Sequence, residues 1–197
     1  MTTSRITMLA PRLPGSPIVK TPSTGFFEGT TTFHFSIHPS IHSPLDLHNL
    51  YHLVISQPVV WSLVVGKNGD YVEGYSDYLR LESSNGTCFK TKWGKDTWYN
   101  FAITTNWVNG WVFPLTTTFN LLTNLCSHST WSAQFSLGNE NLRKVCDTAH
   151  FEPVKHMQMM AIGLYKLVNP AYNVKTTNEG IFLGGLIVKQ GGPARNW

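Results

Sequence analysis

The chain has 197 residues, of which 42% are hydrophobic and 13% charged, a balance that excludes a disordered chain and a solvated helical bundle. Its formal charge is +4, with eight His uncounted, and Lys and Arg are scattered without a run, so no nucleic-acid partner is expected. No stretch is apolar for long enough to span a bilayer as a helix, and the length predicts one domain, residues 1–197, with room for a full core.

The start, Met1 to Pro11, lacks the apolar run of a secretory signal, which leaves an intracellular chain or a trimmed start. Residues 1–25 read as an irregular lead-in, since residues 10 to 29 carry four Pro and three Gly. Strands follow. Thr32 to Ile37 alternates, with Phe33, Phe35 and Ile37 on one face and His34 on the other. Tyr51 to Ser56 and Val59 to Val65 are apolar runs split by Gln57-Pro58, read as a bend or as two paired strands. Lys67 to Asp70 is a turn, Tyr78 to Glu82 alternates, and Asn85-Gly86 turns again. Trp98 to Thr105 places Tyr99, Phe101 and Ile103 on one face, the pattern of an inner strand, and Asn109-Gly110 signals a hairpin.

Residues 110–130 read as an insertion, in which Asn120 to Cys126 is a short helix or a loop. Trp131 to Leu137 alternates. Residues 138 to 157 are polar and irregular, with one helical turn expected near Leu142 to Val145. Met159 to Leu167 and Ile181 to Val188 close the chain as strands, and Gly184-Gly185 predicts a bulge or a close backbone approach. No helical period is sustained. Short strands with Gly, Pro and Asn between them indicate an all-β class, a β-sandwich or jelly roll of two antiparallel sheets.

Aromatic residues reach 13%, with seven Trp. They fill cores, and they also line sites for sugars or flat apolar ligands. The early histidines, His34, His38, His42, His48 and His52, do not make a metal pair, because Pro39 and Pro44 break any helix that would align them. No cofactor or metal is expected. Three cysteines, Cys88, Cys126 and Cys146, leave open one disulfide with a free thiol, or none. There are eleven carboxylates. Glu28, after Phe26-Phe27, is the best single candidate for an acid, although an edge Glu in a loop is an equally good reading. Glu73, Asp77 and Glu82 read as surface, and Glu179 as capping a turn at a strand entry. No serine-hydrolase or phosphate-loop motif is present.

Four segments in order resemble the fungal glycoside hydrolase family 131. They are Thr32 to Ile37, then Ser43 to Leu47 leading to Tyr51 to Val54, then Trp98 to Ala102, then Asn178 to Gly185. The resemblance covers about residues 25 to 190. It implies a concanavalin-like β-jelly roll, secretion, and inverting hydrolysis of β-1,3, β-1,4 and sometimes β-1,6 glucan links. It also implies three site positions. Glu28 stands at the first. The second falls on Gln57, an amide that cannot transfer a proton as a carboxylate does. The third falls near Ala161, with His156 close by in sequence. Glu28, Gln57 and His156 are therefore the candidate catalytic residues, and His34, Trp61, Trp98, Tyr99, Met159 and Ala161 the candidate substrate-binding ones.

Three functions remain open: a β-glucan hydrolase, a non-catalytic glucan-binding relative, and a repurposed pocket for a small apolar metabolite. The partner expected is a β-glucan or other polysaccharide, or a small apolar ligand, bound by a monomer with no membrane contact.

Overall fold

The computed structural model describes residues 18–19, 29–57, 59–67, 77–94, 96–107, 129–151, 159–167 and 178–190. Every element among them is a strand. In chain order these are β1 (Ile18–Val19), β2 (Gly29–Pro39), β3 (Leu50–Gln57), β4 (Trp61–Gly66), β5 (Tyr78–Ser83), β6 (Gly86–Lys92), β7 (Tyr99–Trp107), β8 (Ser129–Leu137), β9 (Arg143–Phe151), β10 (Met159–Leu167) and β11 (Ile181–Gln190). They form two antiparallel sheets. One has six strands in the order β1-β10-β3-β4-β5-β6, the other five in the order β11-β2-β7-β8-β9. The all-β sandwich expected from the strand pattern is the fold found.

Alternation determines what lies between the sheets. From the five-stranded sheet, Phe33, Phe35 and Ile37 of β2 meet Tyr99, Phe101 and Ile103 of β7 and Trp131, Ala133 and Phe135 of β8, all buried. From the six-stranded sheet come Tyr51 and Leu53 of β3, Trp61, Leu63 and Val65 of β4, Leu79 and Leu81 of β5, and Met160 and Ile162 of β10. Rings interlock across the gap: Phe33 lies 6.1 Å from Trp61, and Phe89 of β6 lies 4.7 Å from Phe135. Strand β7 is the middle strand of its sheet, as its one-sided apolar pattern requires.

Three readings are corrected or sharpened. The segment expected to be irregular with a helical turn near Leu142 to Val145 contains edge strand β9. Register shifts beside Ala133 break the period of two, and Lys144 and Asp147 pair outward across three residues, so the charges hide the strand. Ile18–Val19, inside the expected lead-in, pair with Met160 and Ala161 of β10. Gln57-Pro58 separates two strands that pair with each other. The buried Ser56 hydroxyl organises that connection, accepting from the Val60 amide at 2.9 Å and donating to the Trp61 carbonyl at 3.1 Å.

Cys88 and Cys146 form a disulfide that joins β6 to β9, the edge strands of the two sheets. Cys126, the turn at 68–70, the hairpin signal at 109–110 and the proposed insertion up to residue 128 lie outside the described residues.

Glu179 does more than cap a turn. Its side chain is buried and receives the Tyr51 hydroxyl at 2.7 Å, the Asp46 amide at 3.2 Å and the Lys166 ammonium at 3.0 Å. Burial, followed by Glu179, pushes the Tyr51 phenol far above its ordinary value, so it acts only as a donor. This cluster joins the loop after β2, the start of β3, the end of β10 and the entry to β11 at one end of the sandwich.

Candidate functional site

Side chains on the outer face of the six-stranded sheet, apolar ones among charged and polar ones, fall into two rows set by strand register. Ala161, Ile55, Ser62, Glu82 and Thr87 are successive partners across β10, β3, β4, β5 and β6. In the next row the partners are Tyr165, His52, Val64, Arg80 and Lys90. Leu79 and Leu81 point into the core, so Arg80 and Glu82 between and beyond them must point out.

Although it faces outward, the centre of this surface is withdrawn from water. The Arg80 side chain is only 3% exposed and that of Glu82 22%. Arg80 Nε donates to Glu82 Oε1 at 2.8 Å, and Nη1 donates to the Gly66 carbonyl at 3.1 Å. Among the described residues, Glu82 Oε2 has no hydrogen-bond partner. A guanidinium keeps its charge under all ordinary conditions, and taking it out of water is costly. Stability alone would be served as well by an apolar side chain at Arg80, so a buried guanidinium held by a partly exposed carboxylate, aimed away from the core, marks a candidate site.

His52 stands between this pair and the exposed Tyr165, whose ring lies 6.3 Å from its own. Burial holds the His52 imidazole below its ordinary value, with Glu82 opposing and Arg80 reinforcing the shift. Its buried Nδ1 has no hydrogen-bond partner among the described residues. The ring is therefore neutral near pH 7 and offers one donor and one acceptor.

His34, on the other sheet, is also held below its ordinary value, by burial and then by Lys189. Both histidines protonate more readily in the unfolded chain than in the folded one. Stability is therefore full above the ordinary His value of 6.5 and declines as pH falls through it. Melting temperature should drop between pH 7.5 and pH 5, and His34→Gln with His52→Gln should flatten that slope. A slope unchanged in the double variant would contradict the assignment.

The sequence-predicted residues do not converge. Ala161 lies in the row of Glu82, and Gln57 and Met159 are register partners one step further along the same strands. Only the backbone of these last two is described. Glu28 and His156 lie outside the described residues. Trp61 and Tyr99 are both 0% exposed, within the core between the sheets. Trp61 packs on Phe33, and Tyr99 packs on Trp93 while its hydroxyl donates to the Lys92 carbonyl at 2.8 Å. His34 and Trp98 lie on the outer face of the five-stranded sheet, across the core from Ala161.

Of the residues on this candidate face, Arg80 was not singled out by the sequence reading, Glu82 was read as surface, and His52 was named without a role. The signal was present in Leu79-Arg80-Leu81-Glu82, where alternation puts two opposite charges side by side on one face. The burial of that face was not legible.

Residues 17–193 match the family model of the glycoside hydrolase 131 catalytic N-terminal domain. Among solved structures, the chain is similar to the catalytic domain of a family 131 β-glucanase from Podospora anserina. That likeness has a TM-score of 0.69 at 15% identity and covers 87% of this chain and 62% of that one. It is also similar to the catalytic domain of a family 131 glycoside hydrolase protein from Coprinopsis cinerea, with a TM-score of 0.62 at 17% identity, covering 85% and 58%. The chain thus spans about three fifths of the length of these structures. A comparison with curated proteins finds no match.

Proposed function

Because the chain belongs to glycoside hydrolase family 131, we propose that it acts on β-glucan along the outer face of the six-stranded sheet, hydrolysing it with Glu82 as base and Glu28 as acid. The observation that carries this reading is the Arg80–Glu82 pair, its guanidinium buried and its carboxylate partly exposed, aimed out of the core on the same face as His52. In inverting cleavage the acid protonates the leaving oxygen, and the base takes a proton from the water that attacks the anomeric carbon from the other side. Glu82 supports the base role because Arg80 fixes one carboxylate oxygen while the other has no partner among the described residues. His52 is suited to a sugar hydroxyl, and the exposed Tyr165 to stacking on a sugar ring.

Gln57 then serves as a hydrogen-bonding amide and not as a proton carrier. Met159 and Ala161 border the same face, and His156 remains a candidate for the third family position. The β-1,3 and β-1,4 links implied by the resemblance are the expected substrates. The Cys88–Cys146 disulfide supports secretion, since such bonds persist in oxidising compartments. The polar, charged lining argues for a hydroxylated ligand over an apolar one.

A second reading, a glucan-binding relative without activity, is favoured by one observation: the amide of Gln57 stands where the resemblance places a carboxylate. Reducing-sugar release from laminarin and cellulose separates the two. Release that is lost in Glu28→Gln supports hydrolysis with the proposed acid. No release at high protein load, together with retention on insoluble glucan, establishes the binder instead.

A further inference from the structure

The geometry points to a second carbohydrate site on the opposite side of the sandwich, a pocket that holds a neutral sugar residue without cleaving it. This rests on the reading that the ligand is a glucan. The pocket opens on the outer face of the five-stranded sheet and has a volume of about 370 Å³, within the range of about 300–1,000 Å³ typical of small-molecule sites.

Its floor is a fixed ladder of polar groups. Ser36 of β2, Asn100 of β7 and Ser136 of β8 are register partners. Ser36 Oγ donates to Asn100 Oδ1 at 2.7 Å, and Asn100 Nδ2 donates to Ser136 Oγ at 3.2 Å and to the Gly138 carbonyl at 2.8 Å. These bonds set the direction of the amide. Ser36 has spent its proton and keeps acceptor capacity, while Ser136 has accepted and keeps a proton to give. Adjacent sugar hydroxyls, each both donor and acceptor, match a floor that offers one of each.

The walls are shaped for occupancy. Gly185 lines the pocket at φ +60°, where a Cβ would approach Ser36 Oγ. A side chain there would enter the space and strain the backbone. At Gly184, the partner of Ser36, a Cβ would come within 3.1 Å of the Trp98 indole. The two glycines of the β11 bulge thus open the pocket on one side and let the Trp98 indole approach the strand closely on the other. Trp98 is 39% exposed and forms, with His38 and Phe182, an aromatic shelf one row beyond the floor. A ring in the pocket and a neighbouring ring on that shelf fit a chain of linked sugars, in the usual combination of hydroxyl ladder and stacking platform.

Cleavage is not expected here. Among the described residues the pocket's own lining has two titratable groups, His34 and the exposed Glu140, one carboxylate where glycoside hydrolysis usually needs two; the carboxylate at the aromatic shelf, Asp96, is paired with His38 at 3.2 Å. The core separates this face from Arg80 and Glu82 by the thickness of a sandwich, about 10 Å between sheets.

The test is a backbone-amide NMR titration of the full chain with thio-linked analogues of laminaritetraose and cellotetraose, which resist hydrolysis. Saturable shifts at Ser36, Asn100, Gly138 and Gly185 are expected with at least one of the two. Asn100→Ala and, separately, Trp98→Ala should each weaken that response at least tenfold, with the rest of the spectrum reporting an intact fold. Shifts confined to Ser62, Glu82 and Ala161 would overturn the second site and leave the glucan reading standing. Absence of shifts on either face at millimolar ligand would overturn both. Shifts at the five-stranded face that persist undiminished in both variants would overturn the assigned residues.

Discussion

Glu82→Gln is expected to lower reducing-sugar release from laminarin by about 10²–10⁴-fold, the usual contribution of a positioned acid or base. The substitution keeps the shape of the side chain and an oxygen that accepts from Arg80 Nε, now 2.8 Å away. It removes the ability to take a proton from water. It also removes the charge of the carboxylate that the buried guanidinium is paired with, which lowers stability. The two effects separate experimentally. Loss of turnover should persist well below the melting temperature, with glucan retention unchanged. Full activity in a folded Glu82→Gln chain would remove Glu82 from the mechanism. Arg80→Met tests positioning: it leaves the carboxylate in place but frees its orientation, so kcat should fall while KM changes little. A change in stability alone would assign Arg80 a structural role.

Removing the disulfide should cost about 4 kcal/mol by the chain-entropy estimate for a bridge between residues 58 positions apart. For a chain of this size that corresponds to roughly 10 °C in melting temperature. The effect is large because of where the bridge lies. It joins the edge strands β6 and β9, the one covalent tie between the two sheets besides the chain itself among the described residues. Melting of the Cys88→Ala, Cys146→Ala variant measures it. A reducing agent should lower the melting temperature of the parent chain and leave the variant where it is. Equal melting in all three conditions would show that the bridge does not hold the sheets together.

Much of the scaffold was legible in advance because period-two alternation is a local property. Phe33, Phe35 and Ile37, or Tyr99, Phe101 and Ile103, state their buried face without knowledge of any partner. The glycine pair in β11 announced a bulge, and the register shift between Gly184 and Ile187 is that bulge. Edge strands were harder. β6 and β9 carry Lys90, Lys92, Lys144 and Asp147 facing solvent, and charge on an edge dilutes the apolar pattern while guarding against further pairing.

The site was less legible than the fold. Trp61 and Tyr99 were plausible sugar platforms by residue type, and both are core. Glu82 was a plausible surface residue, and it lies in a withdrawn charged pair. Residue type and strand parity are the same in either case. What differs is which surface each face meets, and that depends on strands distant in sequence.

The sequence by itself determined the all-β class, the inward faces of β2 and β7, and the family. All of these follow from short-range alternation and local wording. Only the tertiary structure decided which residues share an outward face. The order β10-β3-β4-β5 carries Ala161, His52, Arg80 and Glu82 onto one surface, and β11-β2-β7-β8 assembles the ladder of Ser36, Asn100 and Ser136 on the other. Side-chain direction is set residue by residue, but neighbourhood is set by strand order, and strand order comes from pairings between residues tens of positions apart.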